Sequence, residues 1–92
     1  MIPKEKLYYL LSEFKKGNYD TNTFCDLFTV TYNVETDYEL LNAKEHELFR
    51  ELAKVTARFS QFEEDLKLPN VFYDEHQVKQ KVSDVIRELS IE

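Results

Sequence analysis

Glycine occurs once in these 92 residues, proline twice and cysteine once. So few turn formers exclude a β-sandwich or barrel, whose chain reverses about every 8–12 residues on such residues. The lone Cys25 excludes an internal disulfide framework and a thiolate zinc site, and it fits a compartment that keeps thiols reduced. Nowhere do roughly 18 apolar residues follow one another, as a membrane span requires. Met1-Ile2-Pro3-Lys4-Glu5-Lys6 meets charge at once with no long apolar run behind it, unlike a signal peptide. A cytoplasmic protein is the expectation. Cations are scarce as well: 12 Lys+Arg stand against 18 Asp+Glu, a formal net charge of −6. That balance repels phosphate backbones, which disfavours nucleic acid as a partner and favours a basic one.

What is present is helical pattern. At 42% hydrophobic and 33% charged the chain is too apolar for disorder, and its length suits one domain over residues 1–92. Leu7, Leu10, Leu11 and Phe14 share one helical face, with Pro3 before them and Gly17 after, so the spacing predicts a helix over about 3–16. Asp20 or Thr21 is available as N-cap for a second helix, about 21–32, on Phe24, Leu27, Phe28 and Thr31. A strand competes at Thr29-Val30-Thr31, but Phe24, Leu27 and Phe28 have helical spacing. Residues 33–41 read as a loop with a helical turn near Asp37–Leu41. Asn42 and Glu45 match a capping box for a third helix, about 43–60, on Leu48, Leu52, Val55 and Phe59, with Phe49 beside that stripe. Residues 61–73 lack a period and contain Pro69-Asn70, so they read as a connection anchored by Phe62, Leu66, Leu68, Val71 and Phe72. Asp74 with Gln77 forms a second capping box, opening a helix over about 75–90 on Val78, Val82, Val85, Ile86 and Leu89. The fold class is all-α, a small antiparallel four-helix bundle.

The same residues offer no chemistry. His46 and His76 each fall in the first turn of a predicted helix and lack the short spacing of metal motifs. Cys25 neighbours Asp26, which raises a thiol pKa and opposes a nucleophilic role. No phosphate loop, nucleophile elbow or calcium loop occurs. No enzyme, metal or cofactor is expected. Surface remains. Acids gather as Glu35, Asp37 and Glu39 in one connection, and as Glu63, Glu64 and Asp65 followed by Asp74 and Glu75 in another. Tyr32, Tyr38, Phe62, Phe72 and Tyr73 lie in or beside them. Aromatics anchor protein interfaces and carboxylates steer a basic partner, although charge runs are commonly only solvated faces.

Leu10-x-x-x-Phe14, Gly17-Asn18-Tyr19, Phe24, the long-helix residues Leu48, Leu52 and Phe59, the acidic Glu63-Glu64-Asp65, and Tyr73-Asp74-Glu75 entering Val78-x-x-x-Val82-x-x-Val85-x-x-x-Leu89 together form a layout over about residues 6–89. It resembles the colicin D-like immunity proteins, with residues 33–41 and the Lys67 to Pro69 stretch departing from that pattern. The resemblance implies a small acidic helical protein that binds the basic, tRNA-cleaving nuclease domain of a bacteriocin or contact-dependent growth inhibition toxin. Carboxylates would then stand where RNA phosphates lie and cover the active site. Partner contacts are expected from Glu63, Glu64, Asp65, Tyr73, Asp74 and Glu75, with Glu35, Asp37 and Glu39 as a second patch. A helical adaptor that docks another cytoplasmic protein, as a monomer or homodimer, is the alternative.

Overall fold

Apolar residues at three- and four-residue spacing wind into the long helices expected of them. The computed structural model describes residues 1–69 and 71–91, so Asn70 of the expected Pro69-Asn70 turn and Glu92 lie outside the described residues. Helix α1 spans Pro3–Lys15, with Pro3 in its first turn and Lys15 in its last. Gly17 adopts φ 84°, a left-handed conformation open to residues without a Cβ, and lets Asn18 N–H return to the Glu13 carbonyl at 2.9 Å. Helix α2 spans Thr21–Val30 and is capped by Asp20, whose carboxylate accepts from Thr23 N–H at 2.7 Å. Rather than ending, α2 widens into a π-helical turn at Thr31–Glu35, and Tyr38–Leu40 form a 3₁₀ turn where a helical turn was expected.

Helix α3 spans Ala43–Thr56 and α5 spans Glu75–Leu89, each opened by a capping box with both bonds made. Between them lies α4, a single turn at Glu63–Leu66 inside the stretch that lacks a helical period. The third helix stops at Thr56, short of residue 60, because the backbone just beyond it pairs elsewhere. Arg58 O accepts from Tyr73 N–H at 2.8 Å, and Tyr73 O accepts from Ser60 N–H at 3.0 Å. This parallel bridge at Phe59 and Tyr73 clasps the two ends of the α3–α5 connection together. The described residues are thus helical with no β-strand, and none of these helices is long and apolar enough to cross a membrane.

Helix α3 packs on α2 and α5, and α1 packs on α2, the π turn and α5. The core between them holds Leu7, Leu10 and Leu11 of α1, Phe24 and Phe28 of α2, Val78 and Val85 of α5, all essentially without exposure. Each such side chain contributes about 1.5–3 kcal/mol through burial. On α3 the buried stripe is Glu45, Phe49, Leu52, Ala53 and Thr56, with Val55 beside it. Leu52 and Val55 of the expected stripe are buried, and at the start of the helix Phe49 is fully buried where Leu48 is half-buried, so the face turns there toward Phe49. Two polar residues of α3 also face inward. Thr56 Oγ1 bonds Thr29 Oγ1 at 2.7 Å, and Glu45 is drawn inward by α1. Phe59 and Leu89, expected in the core, pack at its margin.

Candidate functional site

The expected acids fall at opposite ends of α3. Glu35, Asp37 and Glu39 precede it, whereas Glu63 to Glu75 follow it. The helix between them has 14 residues, about 21 Å at 1.5 Å per residue. The nine residues therefore form two patches rather than one surface.

Within the first patch the structure sorts the acids into two kinds. Asp65 accepts from Ser60 Oγ at 2.7 Å, and the same hydroxyl accepts from Phe62 N–H at 3.1 Å, fixing the entry to α4. Asp74 is the N-cap of α5 and accepts from Gln77 N–H at 2.8 Å. Glu75 accepts from Thr21 Oγ1 at 2.8 Å and pairs with Lys79 at 3.3 Å, so it joins α5 to the start of α2. The Thr21 hydroxyl, followed by Lys79, holds the Glu75 carboxyl below its ordinary pKa of 4.5. Tyr73 is half-buried against the core and carries the bridge to Phe59. Those residues hold the fold together. Glu63 and Glu64 are different: both are exposed and enter no ion pair among the described residues.

Beside them stand side chains whose role was misjudged. Phe62, Leu66, Leu68 and Val71 were expected to pin the connection to the core, and instead they face solvent, with Phe62 63% exposed and Leu68 50%. Only Phe72 is half-buried. The reason is the bridge at Phe59 and Tyr73 together with Asp65–Ser60. These bonds fasten the connection at its ends and leave its apolar side chains unneeded for packing. The Phe62-x-x-x-Leu66 spacing with acids between was a signal for this turn, since it places both apolar residues on one side of a helical turn.

The second patch carries the same mixture with less freedom. Glu35 pairs with Lys6 at 3.3 Å, and Asp37 accepts from Glu39 N–H at 3.0 Å, capping the 3₁₀ turn. Glu39 is exposed, as are Val30, Val34, Tyr38 and Leu40. Tyr38 stacks on buried Tyr32 with ring centres 4.9 Å apart, and His46 leans on Tyr38 at 5.1 Å. His46 is thus a packing residue at the margin of this patch.

Burial, with Asp26 adding to it, pushes the Cys25 thiol up to about 12, so it is a protonated core residue. His76 is exposed at the start of α5. Among the described residues no group of three His, Cys, Asp or Glu converges as a metal site would require. The exposed apolar residues of α4, beside two carboxylates that enter no ion pair among the described residues, suit a cationic surface with an apolar hollow. Comparisons with protein-family models, with curated proteins and with solved structures return no match.

Proposed function

We propose that this chain is an immunity protein that neutralises a bacterial toxin, of the colicin D-like kind its helical layout resembles. In this reading the four long helices form a small antiparallel bundle that presents α4 to the basic nuclease domain of a bacteriocin or contact-dependent growth inhibition toxin in the cytoplasm. The observation that carries it is the α4 surface: Phe62 and Leu66 exposed beside Glu63 and Glu64, which enter no ion pair among the described residues, on a chain of net charge −6. Carboxylates attract a cationic cleft evolved for RNA phosphates and speed encounter, and Phe62 entering an apolar hollow slows release. No enzymatic activity belongs to this reading.

The test begins with the neighbouring reading frame. An adjacent gene ending in a basic domain of about 100 residues would encode the partner, and the two purified proteins should form a complex that blocks RNA cleavage. Association measured by stopped flow should slow steeply as salt rises. Changing Glu63 and Glu64 to Gln should slow association at low salt and flatten that dependence. Phe62→Ala should act chiefly on dissociation. Inhibition unaltered by all three changes would remove α4 from the interface, and binding indifferent to ionic strength would remove the mimicry of RNA altogether.

A further inference from the structure

The negative charge is unevenly placed along this chain. Residues 17–43 hold Asp20, Asp26, Glu35, Asp37 and Glu39 and no Lys or Arg, whereas the rest balances 13 acids against 12 bases. Five of the six net charges therefore belong to α2, its cap and the two turns that follow. Helix α2 buries Thr21, Phe24, Cys25 and Phe28, and its other side faces solvent. There Asn22, Asp26 and Val30 recur four residues apart, all exposed, and the π turn adds Val34. Val30 is 50% exposed and Val34 77%, and Asp26 enters no ion pair among the described residues. Scattered exposed valines are ordinary on a protein surface, but these continue a row that leads to α4. Asn22 at its start and Leu66 of α4 line one hollow. Along the α3 flank, fixed by the Thr29–Thr56 bond, exposed Lys54 and Arg58 mark where the anionic surface ends.

Helix α4 is a single turn of four residues, whereas a specific interface takes about 800 Å² from each partner. A protein seated on α4 therefore covers a neighbouring surface as well. Toward α5 the cations Lys15, Lys79 and Arg87 cancel the nearby acids, so that side attracts nothing basic. Toward α2 the acids stand uncancelled, apart from Glu35, which meets Lys6. We infer that the outer row of α2, from Asn22 through Asp26 and Val30 to Val34, completes the face that α4 begins, and that one basic protein covers both. Lysine or arginine side chains of that partner lie along Asp26, and an apolar ridge settles over Val30 and Val34. The inference rests on reading α4 as the docking surface for a basic protein, whether or not that protein is a toxin.

The probe is the basic domain encoded beside this chain, titrated against the full protein by stopped flow. Val30→Ser with Val34→Ser should hasten dissociation about tenfold, and circular dichroism should show the parent's helix content. Asp26→Lys should slow association at low salt by more than Glu88→Lys, an equal charge change at the far end of α5. Losses in these α2 variants alongside losses in Phe62→Ala and in Glu63→Gln with Glu64→Gln would support one continuous face. Losses only in the α4 variants would overturn the inference and leave the α4 reading standing. Losses only in the α2 variants would overturn it too, since the face would not be shared. No loss in either set would remove the α4 reading and the inference together. Asp26→Lys slowing association no more than Glu88→Lys would also overturn it, because net charge alone would then account for the effect.

Discussion

At the N-terminal end of α3, the Glu45 carboxylate is buried and accepts from the Tyr8 hydroxyl, from Asn42 N–H at 2.9 Å and from Lys4 Nζ at 3.1 Å. Beyond the C-terminal end, Glu63 and Glu64 are exposed and enter no ion pair among the described residues. One carboxylate closes a capping box and ties α1 to α3; the other two accept no hydrogen bond among the described residues. Counting acids therefore says little about where a basic partner would land. What distinguishes a docking acid from a structural one is whether its oxygens already have donors, and by that measure Asp65, Asp74 and Glu75 group with Glu45. The contrast extends to apolar residues, since the stripe of α3 is buried while the side chains of α4 are not.

The largest effect should come from the α3 stripe. Phe49 has no exposure, meets Tyr8 edge-on at 5.5 Å and lies 6.1 Å from Phe28. Phe49→Ala should destabilise by about 3–5 kcal/mol, and half-buried Leu48→Ala by clearly less. Urea denaturation of the two variants checks this, and equal losses would return the stripe to Leu48.

Glu45→Ala should follow, at about 3 kcal/mol, because it leaves the Tyr8 hydroxyl and the Asn42 N–H without their acceptor and takes the carboxylate from Lys4, which keeps the Leu40 carbonyl at 3.2 Å. Burial alone would push the Glu45 carboxyl up, but the donors from Tyr8, Asn42 and Lys4 outweigh it and hold its pKa below 4.5. Its contribution is therefore complete above the unfolded carboxylate value and is lost as pH falls through the lower folded one. The gap in melting temperature between parent and Glu45→Gln should be widest near neutral pH and should shrink on acidification below about 4.5. A gap that grows in acid would reverse the assignment.

A smaller change of opposite sign is expected at Thr31. Its side chain has no exposure, and its Oγ1 lacks a hydrogen-bond partner among the described residues, whereas the Thr56 hydroxyl is bonded. Replacing an unsatisfied buried hydroxyl by a methyl of the same shape removes a desolvation penalty. Thr31→Val should therefore raise stability by about 1 kcal/mol in the same denaturation assay, and Thr56→Val should lower it.

The long helices were legible because their caps are local. Asp20, Asn42 with Glu45, and Asp74 with Gln77 declare helix starts within four residues, and the structure makes every one of those bonds. What was not legible depends on distant contacts. Glu45 sits inward because Tyr8, 37 positions away, donates to it, and apolar periodicity carries no trace of such a bond. The π turn at Thr31–Glu35 adds a residue to a turn without any proline or glycine to announce it. Likewise, the exposure of Phe62 follows from backbone pairing between Phe59 and Tyr73, 14 residues apart. For the candidate site, residue type located the acids, but only geometry separated those held by internal donors from those left open.

The smallest effect on stability should fall at Glu63 and Glu64, and it sharpens the contrast most. With no internal donor to lose, Glu63→Gln and Glu64→Gln together should melt with the parent and retain its helix content. Asp65→Asn should not, because it weakens the bond to Ser60 Oγ that fixes the entry to α4. Against a basic partner the ranking should invert: the two glutamine changes slow association at low salt, and Asp65→Asn acts only as far as it loosens α4. Thermal melts set beside stopped-flow association for the same three variants separate the two kinds of carboxylate. If the glutamine pair lost stability and left association unchanged, the acids of α4 would belong with Glu45, and the docking surface would have to be sought at the Tyr38 end.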